Sequence, residues 1–114
     1  MLDQARFKLV CASGLAAIAS PIDGVFPSLE DQPGLVATAE YARASGMGGM
    51  MCIHPRQIGA VHAAFSPSAT DIEWAEAVIE ASVCEKSSFR FRGQMIDKPV
   101  LDRARSILVT GEDA

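Results

Sequence analysis

The chain has 114 residues, 49% of them hydrophobic and 21% charged, which is the composition of a folded domain rather than of a disordered segment. A formal net charge of −4 disfavours nucleic acid as a partner. No run reaches the roughly 20 apolar residues that cross a bilayer, so no membrane partner is expected either. Three widely spaced cysteines without a C-x-x-C pair predict buried free thiols in a reducing, cytoplasmic compartment: Cys11, Cys52 and Cys84.

The N-terminal stretch predicts a helix followed by a strand. Apolar residues recur at helical spacing over residues 2–13, and Gly14 is suited to end that helix. The mostly apolar run 16–26 then predicts a strand that is buried on both faces. A secretory signal is the alternative, since basic residues precede the apolar run 9–19. Asp3 within the basic part and Gly14 within the run favour the helix and strand.

The middle of the chain continues the alternation of strands and helices. Asp31 is suited to cap a helix that ends near Gly46, and residues 50–53 predict a short apolar strand. Further helices are predicted over residues 55–65 and 66–84. This order predicts parallel βαβ units, but two strands alone would leave both sheet edges unpaired. A complete (β/α)8 barrel needs about 250 residues, so the chain is predicted to be part of an α/β barrel.

The C-terminal stretch has a different pattern. Residues 88–92 alternate polar and aromatic side chains, and a turn at Gly93-Gln94 leads into a second strand, which predicts a hairpin. Lys98-Pro99 then starts a final helix. We therefore divide the chain into βα units over residues 1–84 and an appended lid or oligomerisation arm over residues 85–114.

Candidate site residues follow the two predicted barrel strands. Asp23 and Gly24 lie at the carboxyl end of the first strand, where the active sites of such barrels gather, although a solvent-facing turn explains them equally well. His54 follows the second strand, and three interpretations of it are open: a ligand, a base or a turn residue. A zinc site with His62 is disfavoured because no third ligand has a useful spacing.

Asp97 stands between the predicted hairpin and the final helix. From spacing alone, the favoured interpretation is that it caps this helix, with Pro99 in the first turn. Four segments change that weighting: PIDGVFP at 21–27, CIHPRQI at 52–58, FSPS at 65–68 and GQMIDKPV at 93–100. In this order and spacing they resemble the C-terminal part of the citrate lyase beta subunit family, which includes malyl-CoA lyases and related HpcH/HpaI-type aldolases.

The resemblance implies the C-terminal part of a (β/α)8 TIM barrel, made of its last two strands and helices and a hairpin–helix lid. It implies a lyase that splits a 3-hydroxyacyl-CoA, of the citryl-CoA or malyl-CoA type, into an acyl-CoA and an α-keto acid. Magnesium is the Lewis acid in this family. The metal ligands and the substrate-binding arginine lie on earlier strands, so no metal ligand is expected in this chain.

The resemblance also implies roles for individual residues. Asp97 is implied to be the acid/base that exchanges a proton with the acetyl-CoA methyl carbon in a neighbouring subunit's site. A homo-oligomer, of the trimer type in the family, is therefore expected. Arg90 and Arg92 either meet CoA phosphates or are solvated hairpin charges. The residues implied to line the CoA-binding side are Asp23, Gly24, Val25, Ile53, His54 and Pro55.

Two positions depart from the family's pattern. Ser28 stands where an acid or amide is usual, and Met50 where a lysine is frequent, which weakens the transfer of ligand contacts to those loops. One alternative is therefore a non-catalytic remnant that oligomerises or binds a partner, and another is a pyruvate-type class II aldolase without CoA. The motif around Asp97 favours the CoA-ester branch over that aldolase. Without the missing barrel half or other subunits, the chain alone is expected to be inactive.

Overall fold

A computed structural model describes residues 2–85 and 87–112 of the chain. The chain divides into two compact units, Met1–Phe65 (unit 1) and Ser66–Ala114 (unit 2). The division expected after residue 84 separates barrel from lid by function rather than by compactness, and it stays a prediction. The expected mixture of helices and strands is present, with a parallel strand pair in unit 1 and an antiparallel hairpin in unit 2.

Unit 1 packs helices against a short parallel strand pair. Its elements in chain order are α1 (Leu2–Leu15), β1 (Ile22–Asp23), α2 (Gln32–Ala44), β2 (Gly49–Met50), a 3-10 turn (Pro55–Gln57) and α3 (Ile58–Phe65). Its core joins α2, β2 and α3 through four buried side chains: Leu35, Ala39, Met50 and Val61. This core holds β2, and Phe26 of the loop after β1 packs against it.

The helix α2 has the boundaries that its capping residues predict. The carboxylate of Asp31 accepts a hydrogen bond of 3.0 Å from the Gly34 backbone N–H, and Pro33 lies in the first turn. The helix is followed by Gly46 with a φ of +96°, a left-handed conformation that favours glycine. The predicted start and end of this helix are therefore confirmed.

The strands β1 and β2 pair in parallel, with Ile22 opposite Gly49 and Asp23 opposite Met50. The prediction of a strand over residues 16–26 is wrong in length, because β1 has two residues. It is also wrong in burial, because Ile22 is 58% exposed. A strand buried on both faces needs a layer over each face, and among the described residues β2 is the single strand that pairs with β1.

The helix α1 has no buried residue among those described. It continues past Gly14 to Leu15, and the chain turns away through Ala17, whose φ is +56°. The prediction of buried thiols is wrong for Cys11 and Cys84, which are exposed, whereas Cys52 is partly buried. Apolar sequence neighbours do not by themselves bury a thiol: Cys11 lies on α1, which has no buried residue among those described, and Cys84 lies in an exposed turn after α4.

Unit 2 packs a hairpin against two helices. Its elements are α4 (Ala69–Ser82), β3 (Phe89–Phe91), β4 (Gln94–Ile96) and α5 (Lys98–Glu112). The hairpin turn is at Arg92-Gly93, one residue earlier than predicted, since both residues have positive φ as a tight two-residue hairpin turn requires. The core of unit 2 consists of Ala75, Val78, Ile96 and Ala104.

The helix α4 begins with a reciprocal pair of hydrogen bonds. The hydroxyl of Ser68 accepts a bond of 3.1 Å from the Asp71 N–H, and the Asp71 carboxylate accepts one of 3.2 Å from the Ser68 N–H. This capping box satisfies two backbone donors at the helix start. Across residues 2–85 and 87–112, none of the helices is both long and apolar enough to cross a membrane.

Candidate functional site

The parallel register of β1 and β2 brings the two strand-end loops to one edge of the strand pair. The Met51 N–H extends the ladder by a 3.1 Å hydrogen bond to the Asp23 carbonyl oxygen, so both strands end at the same level. The residues expected to line the CoA side therefore lie at the carboxyl edge: Asp23 is the last residue of β1, Gly24 and Val25 follow it, and Ile53, His54 and Pro55 follow β2.

Asp23 is held by the first helix. Its Oδ2 accepts a 3.0 Å hydrogen bond from Nε of Arg6, and its Oδ1 accepts a 2.8 Å bond from the Gly24 N–H. The Asp23 side chain is 12% exposed and the Arg6 side chain is 20% exposed, so the ion pair is partly buried. The bond to Asp23 raises the pKa of the Arg6 guanidinium. Both oxygens of this carboxylate are thus engaged within the fold, and Asp23 anchors the loop that it begins.

A wider polar network connects α1 to α2. The Tyr41 hydroxyl donates a 2.8 Å hydrogen bond to Asp3, which also lies 3.5 Å from Arg6 Nη1. The guanidinium of Arg6 lies 5.8 Å from the centre of the Tyr41 ring. The hydrogen bond to Asp3 raises the pKa of the Tyr41 phenol. Sequence reasoning missed this network, whose single local signal is the spacing of Asp3 and Arg6 on one helix face.

The loop after β1 offers open backbone and an apolar side chain. A Cβ built on Gly24 would have no heavy atom of the described chain within 4 Å, so a ligand can approach the backbone there. Val25 is 45% exposed, and Ile53 on the neighbouring loop is 52% exposed. Accessible aliphatic groups beside accessible backbone suit a ligand that has both apolar and hydrogen-bonding parts.

His54 caps the 3-10 turn. Its Nδ1 accepts a 3.1 Å hydrogen bond from the Arg56 N–H, and its extended backbone leads into Pro55, the first residue of the turn. This use of Nδ1 places the proton of a neutral imidazole on Nε2. The turn-residue interpretation of His54 therefore has direct support, and Pro55 fixes the direction in which the chain leaves the loop.

Gln57 connects the two loops, and sequence reasoning did not single it out. Its side chain is 2% exposed, the one polar residue among the buried residues of the described chain. Its Nε2 donates a 2.9 Å hydrogen bond to the Phe26 carbonyl oxygen, and its Oε1 accepts a 2.9 Å bond from the Ile53 N–H. The one sequence feature that could have indicated Gln57 is its position three residues after His54. No sequence pattern predicts that a glutamine at this position is buried.

Asp97 lies at the start of α5 in unit 2. Its Oδ1 accepts a 3.3 Å hydrogen bond from the Val100 N–H, which is the capping role expected from spacing. The residue is exposed and lines a cleft of about 320 Å³, together with Glu85, Ser88, Phe89, Lys98, Leu101 and Arg105. Arg92 lies in the hairpin turn with its guanidinium 5.0 Å from the centre of the Phe91 ring, and Arg90 is exposed.

The described residues do not fit a magnesium site. A divalent magnesium ion takes oxygen ligands in near-octahedral geometry. No group of three or more His, Cys, Asp or Glu side chains comes together within residues 2–85 and 87–112. The candidate edge of unit 1 thus offers backbone, apolar and imidazole groups for an organic ligand rather than a carboxylate cluster for a metal.

Comparison with known proteins identifies relatives across most of the chain. A citrate lyase subunit beta-like protein of Mycobacterium tuberculosis is 40% identical over 100 residues, which are 88% of this chain and 36% of the relative. The mitochondrial citramalyl-CoA lyase of mouse is 40% identical over 111 residues, which are 91% of this chain and 32% of the relative. This chain is homologous to the citrate lyase beta subunit family. The resemblance of the four segments is thereby confirmed, and no family model matches the chain.

A solved structure agrees with these relatives. The crystal structure of protein CitE from Mycobacterium tuberculosis, in complex with magnesium, acetoacetate and coenzyme A, matches with a TM-score of 0.82 and 35% sequence identity. The match covers 96% of this chain and 40% of CitE. A citrate lyase from Burkholderia xenovorans shares the fold at a TM-score of 0.78 and 24% identity. The chain thus spans about a third of the length of its curated relatives.

Proposed function

We propose that this chain is part of a lyase that breaks a carbon–carbon bond in a 3-hydroxyacyl-CoA and releases an acyl-CoA and an α-keto acid. The observation that supports this most is that six candidate residues lie on adjacent strand-end loops in a homologue of CoA-ester lyases. The complex of CitE with coenzyme A favours this reaction over that of an aldolase without CoA. Citryl-CoA and malyl-CoA type esters are the substrate class proposed.

The proposed architecture is a segment of a (β/α)8 barrel. In it β1 and β2 are the last two strands, and unit 2 contributes a hairpin–helix lid. The parallel pairing of β1 and β2 and the fold shared with CitE support this assignment. Further strands and the magnesium ligands would come from polypeptide outside the described residues, as a companion barrel half, since those residues hold no suitable cluster.

The proposed work of this chain is to hold CoA and to move one proton. Accessible backbone at Gly24 and the exposed aliphatic groups of Val25 and Ile53 would contact the CoA moiety. The carboxyl group of Asp97 would give a proton to the carbon next to the thioester carbonyl after cleavage, or take it in the reverse reaction. A positioned general acid of this kind contributes about 10²–10⁴ in rate.

A chimera tests the role of Asp97. Residues 2–112 would replace the matching segment of mouse citramalyl-CoA lyase, to which this chain is 40% identical. We expect citramalyl-CoA cleavage by the chimera and a fall of about 10²–10⁴ in turnover on Asp97→Asn, with CoA affinity kept. Asparagine still accepts the hydrogen bond from Val100, so helix capping is preserved while the exchangeable proton is lost.

Asp102→Asn is the matched control, because it removes the same charge from an exposed position one turn later in α5. Its turnover should stay near that of the unchanged chimera. Turnover unaffected by Asp97→Asn would limit Asp97 to capping. The chain alone, given malyl-CoA or citryl-CoA and magnesium, is expected to show no cleavage, and measurable cleavage would refute the need for a companion barrel half.

Association is a second candidate role that one observation favours. Large apolar side chains on and after α1 and on β1 are more than half exposed: Leu2, Phe7, Leu9, Leu15, Ile18 and Ile22. Exposed apolar surface of this extent is typical of a region that a protein partner or a second copy covers. Sedimentation velocity of the chain is expected to show self-association, and a monomer at all concentrations would count against this role.

A further inference from the structure

We infer that Gln57 is a positioning residue that sets the spacing of the two strand-end loops proposed to hold CoA. This inference rests on the proposed function and adds to it a residue that does not touch the ligand. Gln57 is buried at 2% exposure, whereas Val25 and Ile53 on the two loops are exposed.

The amide of Gln57 is bonded at both ends to backbone. Nε2 donates to the Phe26 carbonyl oxygen on the loop after β1, and Oε1 accepts from the Ile53 N–H on the loop after β2, each at 2.9 Å. Phe26 and Ile53 are 27 positions apart in sequence, so this side chain bridges two loops that are distant along the chain. The Gln57 N–H is itself bonded to the His54 carbonyl oxygen at 3.0 Å.

The chemistry of the two partners fixes the orientation of this amide. A carbonyl oxygen requires a donor and a backbone N–H requires an acceptor, so the reversed amide would leave both groups unsatisfied. The Phe26 carbonyl oxygen and the Ile53 N–H are therefore each bonded by the matching end of one planar amide group. The exposed side chain of Ile53 and the accessible backbone of Gly24 are placed by this bridge without any contact between the bridge and solvent.

Replacement by glutamate makes the bridge depend on pH. A neutral carboxyl group can accept from the Ile53 N–H and donate to the Phe26 oxygen, whereas a carboxylate places negative charge against that oxygen. Burial and the carbonyl together raise the pKa of a carboxyl group at this position. Gln57→Glu should therefore restore the bridge at acidic pH and lose it as pH rises through that raised pKa.

The test measures CoA affinity and backbone protection in the full chain. Gln57→Leu should weaken CoA binding about tenfold or more and speed hydrogen exchange at the Ile53 amide, because two buried backbone groups lose their partner. Gln57→Glu should match the unchanged chain at pH values below the raised pKa of its carboxyl group and approach Gln57→Leu at pH values above it. Expressing each affinity relative to the unchanged chain at the same pH removes the contributions of His54, Arg56 and Glu30 on the same loops.

Two controls separate the possible failures. Gln94→Glu adds the same charge at an exposed position of β4 and should behave as the unchanged chain at every pH. CoA affinity that is unchanged in Gln57→Leu, although the Ile53 amide exchanges faster, would overturn the inference and leave the proposed function standing. Absence of CoA binding by the unchanged chain would overturn the proposed function. Equal hydrogen exchange at the Ile53 amide in all variants would show that Gln57 does not bridge the two loops.

Discussion

Unit 1 and unit 2 hold their candidate functional residues in place by different interactions. In unit 1 the two strand-end loops are fixed by partly or fully buried polar side chains, through the Arg6–Asp23 ion pair and the amide of Gln57. In unit 2 the candidate acid Asp97 directly follows Ile96, a fully buried aliphatic side chain. The loops proposed to bind a ligand thus depend on hydrogen bonds of buried side chains, whereas the proposed proton carrier combines its capping bond from Val100 with the apolar packing of its neighbour Ile96.

This difference gives the two units different sensitivities. Apolar packing tolerates no loss of volume without a cavity, but it is indifferent to pH. Polar bridges respond to the protonation and exact chemistry of single atoms, and breaking one partner leaves the other unsatisfied. The chain carries one probe for each unit, since its single tyrosine, Tyr41, lies in unit 1 and its single tryptophan, Trp74, in unit 2.

The largest effect is expected from loss of packing in unit 2. Ile96→Ala should lower the free energy of unfolding by about 2–5 kcal/mol, because it removes a side chain that is 0% exposed. Denaturant unfolding followed by the fluorescence of Trp74, which packs against the same cluster, measures this loss. Met95→Ala is the control, because the neighbouring side chain on β4 is 57% exposed. Equal losses of unfolding free energy in the two variants would contradict the assignment of Ile96, the residue before Asp97, to the core of unit 2.

A smaller effect is expected from the ion pair in unit 1. Arg6→Met removes the partner of Asp23 and should cost about 1–3 kcal/mol, since a carboxylate that is 12% exposed loses a hydrogen bond. Lys8→Met, on an exposed position of the same helix, should change stability by less than about 0.5 kcal/mol. Unfolding followed by circular dichroism compares the two. An Arg6→Met chain as stable as Lys8→Met would show that the ion pair does not stabilise the folded chain.

The smallest effect concerns Tyr41. Its pKa is raised by the hydrogen bond to Asp3, so the folded chain binds the phenolic proton more tightly than the unfolded chain does. This contribution to stability is complete below the unfolded pKa and is lost as pH rises through the folded pKa. An ultraviolet titration of tyrosinate should show a midpoint above that of the unfolded chain, and Asp3→Ala should lower it. Coincident midpoints in folded and unfolded chain would refute the bond.

Local signals predicted much of this structure. The boundaries of α2 followed from Asp31 and Gly46, and the capping role of Asp97 followed from its place before a helix start. These features depend on residues within a few positions of each other. The order of the four family segments added the relationship to CoA-ester lyases, which was then confirmed by relatives at 40% identity.

Features that depend on distant parts of the chain were not predictable in this way. The length and burial of β1 depend on which strands lie beside it, and an apolar run such as 16–26 does not contain that information. The partner of Asp23 is 17 positions away on α1, and Gln57 reaches a carbonyl 31 positions away. Sequence identified the residues of the candidate loops but not where the preceding strands end, and the side chains that fix the loops became visible only in three dimensions.

The most direct test of the proposed CoA site is to map CoA binding on the isotopically labelled chain by nuclear magnetic resonance. Added CoA should shift the backbone resonances of Gly24, Val25 and Ile53 in a saturable manner, since these groups are accessible on the two loops. Dephosphorylated and thiol-free fragments of CoA would then show which part of the molecule each loop contacts. Saturable binding that leaves these three residues unshifted, or no binding of CoA, would contradict the assignment of the two loops as the CoA site.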